Sequence, residues 1–132
     1  MNEIIYRREI PLTDDIIELY KSSGINRPIE DHDRIELMYK NSNLVVTARD
    51  GDRLVGVVRS LTDLCYCCYL SDLAVRADYQ RLGIGSELIR QTKHHIGDQT
   101  TLLLLSAPGA MDYYPKVGFE EVSNGYIIHR KH

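Results

Sequence analysis

The chain has 132 residues, of which 43% are hydrophobic and 27% are charged, a composition typical of a globular domain and unlike that of a disordered chain. No stretch approaches the roughly 20 apolar residues that a membrane-spanning helix requires. The formal net charge of -3 argues against the basic surface that nucleic-acid binding usually needs. We therefore expect no membrane and no nucleic-acid partner.

Apolar spacing in the first half of the chain predicts two helices followed by a run of strands. The predicted elements are, in chain order, a strand at 4–8, a helix from Thr13 or Asp14 to near Gly24, a short helix at 31–39, and strands at 44–48, 54–58 and 66–75. Asp50-Gly51-Asp52 lies between two of these strands and is typical of a hairpin turn. This half of the chain predicts a mainly antiparallel sheet.

The second half of the chain predicts a helix, a strand and a short helix before two final strands. In chain order we expect a helix at 84–96, a strand at 101–105, a short helix at 109–116, and strands at 120–122 and 126–129. The unbroken apolar run at 101–105 is typical of a strand buried on both faces, and Asn124-Gly125 predicts a turn. The order βααβββαβαββ predicts an α+β fold, with a mixed, mostly antiparallel sheet of six to seven strands flanked by about four helices.

Three cysteines lie close together at Cys65, Cys67 and Cys68. An odd number without partners elsewhere argues against a disulfide framework, and a zinc site would need a fourth ligand, which no nearby histidine supplies. We therefore expect no metal site. The first residues lack the long apolar segment of a secretion signal, so we expect a cytoplasmic protein.

The segment 80–86 joins a predicted strand to a predicted helix and contains Gly83 and Gly85. Glycines let a ligand approach the main chain, and the first N–H groups of a helix are unpaired at the positive end of its dipole, so the segment predicts a phosphate site. Ser86 stands where a Walker A loop has lysine, and Leu88 stands where a dinucleotide fingerprint has its third glycine. A plain strand-to-helix turn is the alternative interpretation.

Two motifs surround this predicted helix. The first is Asp72-Leu73-Ala74-Val75 followed by Gln80-Arg81-Leu82-Gly83-Ile84-Gly85, with the loop pattern Gln/Arg-x-x-Gly-x-Gly/Ala. The second is Tyr114-Pro115-Lys116-Val117-Gly118-Phe119, with the pattern Tyr-x-x-x-Gly-Phe. With the order of elements, these motifs resemble the GNAT superfamily of N-acetyltransferases over essentially the whole chain. The resemblance implies one GNAT domain over residues 1–132.

The resemblance implies that the donor is acetyl-CoA and indicates which residues hold it. In this family the pyrophosphate lies on the glycine loop, and the pantetheine arm pairs like an added strand with the preceding strand. That strand usually carries a bulge and separates from the next one, which opens a cleft for the thioester. The implied donor-binding residues are Leu73, Ala74, Val75, Gln80, Arg81, Leu82, Gly83, Ile84, Gly85 and Ser86.

The resemblance also implies catalytic residues. Tyr114 takes the place of the family's usual proton donor to the departing thiolate, and a phenol is protonated at neutral pH. Pro115 disfavours helical geometry at the residue before it, so Tyr113 is the alternative donor. Asp72 is a candidate general base near the arriving amine, and a structural carboxylate is the equal alternative.

The sequence therefore predicts an N-acetyltransferase that moves an acetyl group from acetyl-CoA to a primary amine of a small molecule or peptide, by direct attack in a ternary complex. The alternative is a non-catalytic acyl-CoA-binding sensor. Glu30, Asp31 and His32 are candidates for acceptor recognition, because that region walls the acceptor side in the family. The segment 126–129 is a candidate interface between two copies, since family members often pair through their C-terminal strands.

Overall fold

A computed structural model describes residues 3–132. Its strands are β1 (Ile4–Arg8), β2 (Leu44–Asp50), β3 (Arg53–Thr62), β4 (Cys67–Val75) and β5 (Thr101–Leu104). Its helices are α1 (Thr13–Ser23), α2 (His32–Lys40), α3 (Ile84–Ile96) and α4 (Tyr113–Lys116), with short 3-10 helices at Ala77–Tyr79 and Pro108–Ala110. No helix among the described residues is long and apolar enough to cross a membrane.

The strands form one sheet in the order β1-β2-β3-β4-β5. The first three pairings are antiparallel, and β5 runs parallel to β4 because α3 carries the chain back between them. This confirms the α+β class and the mixed, mostly antiparallel sheet with four helices.

Each face of the sheet buries its own apolar cluster. Helices α1 and α2 cover one face, where Ile16 and Ile35 are fully buried, and α3 covers the other, where Leu88 is fully buried. Gly56 in β3 lets α3 approach the sheet, because a Cβ there would lie 3.2 Å from the Leu88 side chain and 3.1 Å from that of Ile84. This contact fixes the start of α3, and with it the glycine loop, against the middle of the sheet.

A bulge in β4 reverses the direction of its side chains. Arg59 pairs with Asp72 while Ser60 pairs with Leu70, so Ser71 is an extra residue on β4. Cys68 and Leu70 therefore belong to the cluster under α3, whereas Asp72 and Ala74 point to the face covered by α1 and α2. In a regular strand without the bulge all four would lie on one face, since side chains alternate along a strand.

The sheet has five strands among the described residues, rather than the predicted six to seven. Neither 120–122 nor 126–129 forms a strand, and Gly125 lacks the positive φ that an Asn-Gly hairpin turn requires. As a result β5 lies at the edge of the sheet, with Leu103 exposed. The prediction that 101–105 is buried on both faces is therefore wrong.

The predicted helix at 109–116 is two short pieces, the 3-10 helix Pro108–Ala110 and α4. Pro115 occupies the first turn of α4, where the N–H that proline lacks would have no intrahelical partner. The proline is thus compatible with helical geometry at Tyr114. This helix places Tyr113 and Tyr114 one after the other at its start.

Candidate active site

A cleft begins where β4 and β5 separate. Their pairing ends at Leu70 opposite Leu104, and among the described residues the stretch 71–75 of β4 pairs with β3 alone. Ala74 is buried under α1 and α2, and Leu73 and Val75 pack against the cluster under α3. Their side chains are used for packing, so this stretch offers a ligand its open backbone edge.

The glycine loop follows at the same end of the sheet. Gly83 caps α3 in the left-handed conformation with φ 84°, and Arg81 also has a positive φ of 68°. The first helical bond runs from the Glu87 N–H to the Gly83 carbonyl at 3.0 Å. The N–H groups of residues 82–86 have no acceptor within the described part of the chain. The loop therefore presents a row of free donors at the positive end of a 13-residue helix.

The side chains of the loop differ in their surroundings. Gln80 donates from Nε2 to the Val75 carbonyl at 3.0 Å, which ties the loop to the end of β4. Ile84 is buried against the sheet. Arg81, Leu82 and Ser86 are exposed around the free N–H groups. The exposed side chains are thus free to contact a ligand held by the main chain.

Tyr113 and Tyr114 occupy two different places beside the cleft. A Cβ built on Gly85 would lie 2.9 Å from the Tyr113 hydroxyl oxygen, so that hydroxyl lies over the start of α3. The Tyr114 ring is half-buried against Phe119, with ring centroids 5.5 Å apart. Burial raises the pKa of both phenols, and the positive charge of Arg27 partly offsets this for the Tyr114 pKa. Both hydroxyls are therefore protonated at neutral pH and able to donate.

Asp72 is fully buried, and neighbouring side chains already donate hydrogen bonds to its carboxylate. Its carboxylate accepts from Arg27 Nε at 2.8 Å, from Arg59 Nε at 3.0 Å, from the Tyr20 hydroxyl at 2.6 Å and from the Ser71 hydroxyl at 3.0 Å. Burial raises the pKa of this carboxyl, but the hydrogen bond and positive charge of Arg59 outweigh it, so the pKa lies below its usual range. An anion with this many donors is a poor acceptor for another proton.

The residues predicted to recognise the acceptor lie at the end of the α1–α2 connection and the start of α2. Asp31 caps α2, accepting from the Arg34 N–H at 3.1 Å, and His32 lies 3.2 Å from Asp14. Glu30 lines a cavity of about 630 Å³ that also includes Arg34 and Ser71. Of the three predicted residues, only Glu30 faces this space. No group of three or more His, Cys, Asp or Glu able to hold a metal ion occurs within residues 3–132.

A family model for the acetyltransferase (GNAT) domain matches residues 19–128. The chain belongs to the GNAT family of acetyltransferases. An uncharacterized N-acetyltransferase, ycf52, of the alga Pyropia yezoensis is 25% identical over 118 residues, which cover 84% of this chain. The chain spans only 66% of the length of that relative and of its counterpart in Porphyra purpurea.

Two solved structures have the same GNAT fold. Protein SA2161 of methicillin-resistant Staphylococcus aureus superimposes with a TM-score of 0.83 at 24% identity, covering 97% of this chain and 100% of that one. The GNAT family acetyltransferase SP0256 of Streptococcus pneumoniae gives a TM-score of 0.77 at 25% identity, covering 98% of this chain and 100% of that one. The recognition of the family from the two motifs is thereby confirmed.

Sequence reasoning missed the arginines of the site. Arg27 and Arg59 hold Asp72 in this GNAT domain, although they lie 45 and 13 residues from it along the chain. Both look like ordinary polar positions in a sequence, and only the bulge at Ser71 brings them to one carboxylate. The single available signal was Asp72 itself, a charged residue inside an apolar strand pattern, which implies a buried partner.

Proposed function

We propose that this protein transfers an acetyl group from acetyl-CoA to the primary amine of a small molecule or peptide. The observation that carries the proposal is the row of free N–H groups at 82–86, next to the open edge of β4. The two features are separated by only six residues along the chain, so one extended ligand with a pyrophosphate and an amide-bearing arm could contact both. Membership of the GNAT family supports acetyl-CoA as that ligand.

The free N–H groups fit the pyrophosphate of the donor. Gly83 has open space around its Cβ position, so nothing blocks an anion from the main chain there. The exposed Arg81 side chain adds a positive charge at the same loop. The arm would pair along Leu73, Ala74 and Val75, whose unpaired edge offers main-chain donors and acceptors.

The chemistry needs a neutral amine, a stabilised carbonyl oxygen and a proton for the sulfur. The amine nitrogen attacks the thioester carbon, the C–N bond forms, and the C–S bond breaks as the tetrahedral intermediate collapses. We assign Tyr114 as the donor of a proton to the departing thiolate. Its half-buried, protonated hydroxyl and its position in the Tyr-x-x-x-Gly-Phe motif support this role. Tyr113, with its hydroxyl over Gly85, is better placed to contact the donor's phosphates.

We assign Asp72 a positioning role rather than that of general base. Its five hydrogen bonds, two of them from Arg59, support this choice, since it orients Arg27, Arg59 and Ser71 along the acceptor side of the cleft. The incoming ammonium then passes a proton to water before it attacks as the neutral amine, and the nitrogen of the tetrahedral intermediate passes the next proton to water. A positively charged surrounding favours that loss, because it lowers the pKa of an incoming ammonium.

We further propose that residues 1–132 act as one domain in the cytoplasm. Two buried clusters on opposite faces of a single sheet support the first point. Cys65 and Cys67 are free thiols on the surface, which supports a reducing compartment.

The experiment is release of free CoA thiol from acetyl-CoA with a panel of primary amines. We expect amine-dependent thiol release by the wild-type protein and an N-acetylated product of matching mass. Stabilisation by acetyl-CoA in a thermal-shift assay, without turnover for any amine class, would contradict the enzymatic proposal and favour the acyl-CoA sensor. Absence of any thermal shift at millimolar acetyl-CoA would contradict donor binding as well.

A further inference from the structure

The cavity on the acceptor side of the cleft is rich in arginine. Its volume is about 630 Å³, and its charged lining comprises Arg27, Arg34, Arg59, Arg130 and Glu30. Arg130 belongs to the extended C-terminal segment, whereas the other three arginines lie on α2, on β3 and in the connection between α1 and α2. Even counting the buried Asp72 beside them, positive side chains outnumber negative ones. The side chains at the cavity therefore carry a net positive charge at the place where an acceptor would enter.

Two of these arginines are held in place by hydrogen bonds within the protein. Arg59 donates to both oxygens of Asp72, to Ser42 Oγ at 3.1 Å and to Ser71 Oγ at 2.9 Å. Arg27 donates to Asp72 and to the carbonyls of Asn26 and Ser71. Arg59 thus uses four and Arg27 three of their five N–H donors within the protein, so these two guanidinium groups mainly shape the field of the cavity.

Arg34 differs from them, because its guanidinium donates to no acceptor among the described residues. It lies on α2 one turn before Met38, and both side chains line the cavity. A free guanidinium is a planar fork of donors that matches the geometry of a carboxylate or phosphate. Arg34 is thus the direct ligand that the cavity offers to an anionic group.

The cavity also reaches the bulge in β4. Ser71 lines it, and the open stretch of β4 proposed for the donor starts at that residue. An acceptor held through an anionic group on Arg34 would extend its amine toward the thioester end of the cleft. The positive surroundings also favour the neutral amine that attack requires, and they repel polycations.

We propose that the acceptor is a primary amine that also carries a carboxylate or phosphate group, bound through that group by Arg34. This inference rests on the proposed acetyl transfer and names its substrate class. Polyamines and other amines with only positive charges are then poor acceptors.

The test compares acceptors that differ only in the anionic group. The pairs are 6-aminohexanoate against 6-aminohexanamide for the carboxylate and O-phosphoethanolamine against ethanolamine for the phosphate, with spermidine as the polycation. We expect the anionic member of at least one pair to have a kcat/KM at least about tenfold higher in thiol release, the effect of one charge-assisted hydrogen bond. The preferred pair distinguishes a carboxylate from a phosphate ligand. Preference for the neutral members or for spermidine would overturn the proposal.

Arg34→Gln gives the matching variant, with Lys40→Gln as a control for loss of one exposed charge on the same helix. We expect Arg34→Gln to raise KM for the anionic acceptor about tenfold, while kcat, KM for acetyl-CoA and the melting temperature stay unchanged. Lys40→Gln should match the wild type. Equal KM values in the two variants would overturn the assignment of Arg34.

A binding measurement separates this inference from the proposed enzymatic function. Isothermal titration of the anionic amines into protein saturated with CoA needs no turnover. Binding that weakens in Arg34→Gln supports the anionic site even if thiol release is absent, whereas absence of binding by every anionic amine overturns it. Thiol release from a neutral amine alone would uphold the acetyltransferase and reject the anionic acceptor.

Discussion

At the scale of single residues, the extra residue Ser71 decides what Asp72 does. The bulge turns Asp72 away from α3 and into a ring of donors that includes Arg27, Arg59 and Tyr20. The Tyr20 hydroxyl donates to Asp72 and lies 2.6 Å from the Tyr39 hydroxyl, so the network continues into α2. One carboxylate therefore joins α1, α2 and the middle of the sheet beside the cleft.

Asp72→Asn should destabilise the fold strongly. The substitution leaves the buried Arg59 without its counter-charge, and removing one member of a buried ion pair typically costs about 3–5 kcal/mol. Urea denaturation measures the free energy of unfolding. Asp98→Asn, at an exposed carboxylate outside the helices and strands, serves as the control and should change it by less than about 0.5 kcal/mol. A loss below about 1 kcal/mol in Asp72→Asn would contradict the account.

The lowered pKa of Asp72 predicts a dependence of stability on pH. A carboxyl whose pKa is lower in the folded state contributes its full stabilisation above its ordinary value of 3.8 and loses it as the pH falls through the folded value. We expect the wild type to lose stability between pH 5 and pH 2 more steeply than Asp72→Asn, in urea denaturation at each pH, over a window of about three units. Parallel curves for the two proteins would show that folding does not lower the pKa of Asp72.

Tyr114→Phe and Tyr113→Phe separate the two phenols. Loss of a general acid commonly lowers kcat by about 100-fold, so we expect that loss in Tyr114→Phe with KM for acetyl-CoA unchanged. In Tyr113→Phe, whose hydroxyl lies over Gly85, we expect a higher KM for acetyl-CoA and little change in kcat. Thiol-release kinetics at saturating amine measures both. The reverse pattern would assign the proton donor to Tyr113.

At the scale of elements, the sequence predicts α3 well because two independent signals agree. Apolar spacing predicts Ile84 to Ile96 and glycines flank both ends, and the helix in the structure has those bounds. The apolar run 101–105 correctly predicts a strand but wrongly predicts that it is buried on both faces. Composition alone does not tell whether a neighbouring strand covers it. The 126–129 prediction depended on a turn at Asn124-Gly125, and Gly125 does not adopt the conformation that the turn requires.

The loop before α3 gives a prediction about glycine. Gly83→Ala and Gly24→Ala both place a Cβ on a left-handed residue with no atom within 4 Å, so both should lose about 1–2 kcal/mol of stability. Only Gly83 lies at the free N–H groups, where the added methyl would meet a bound phosphate. We expect acetyl-CoA affinity, measured by isothermal titration, to fall at least about tenfold in Gly83→Ala and to stay unchanged in Gly24→Ala. Equal affinities of the two variants for acetyl-CoA would contradict the assignment of the loop to the donor site.

At the scale of the whole molecule, one edge of the sheet is open, because within residues 3–132 β5 has a paired strand on one side only. β5 pairs with β4 on one side, and a cavity of about 570 Å³ lies between β5 and residues 117–122 on the other. Tyr126 and Ile128 project from the C-terminal segment with exposed fractions of 101% and 99%. An open strand edge and an exposed apolar segment of strand-like sequence are complementary, so we expect each copy to place its 126–129 segment along β5 of a second copy.

Light scattering during gel filtration tests this expectation. We expect a particle of twice the chain mass of 15.2 kDa for the wild type. Ile128→Asp should give the single-chain mass, because it places a charge in the apolar contact. Leu37→Asp, at an exposed apolar residue of α2, should leave the dimer intact. A wild-type protein of single-chain mass at millimolar concentration would contradict the pairing of residues 126–129 with β5 of a second copy.

The central claim is that the N–H groups of residues 82–86 hold the pyrophosphate of the donor. Titration of the ¹⁵N-labelled protein with CoA, followed by amide ¹H–¹⁵N spectra, reports on those groups individually. We predict that the largest shifts occur at Leu82, Gly83, Ile84, Gly85 and Ser86, with smaller shifts along 73–75. If saturation with CoA leaves the amide signals of residues 82–86 unshifted, or if the largest shifts cluster elsewhere, the account is contradicted.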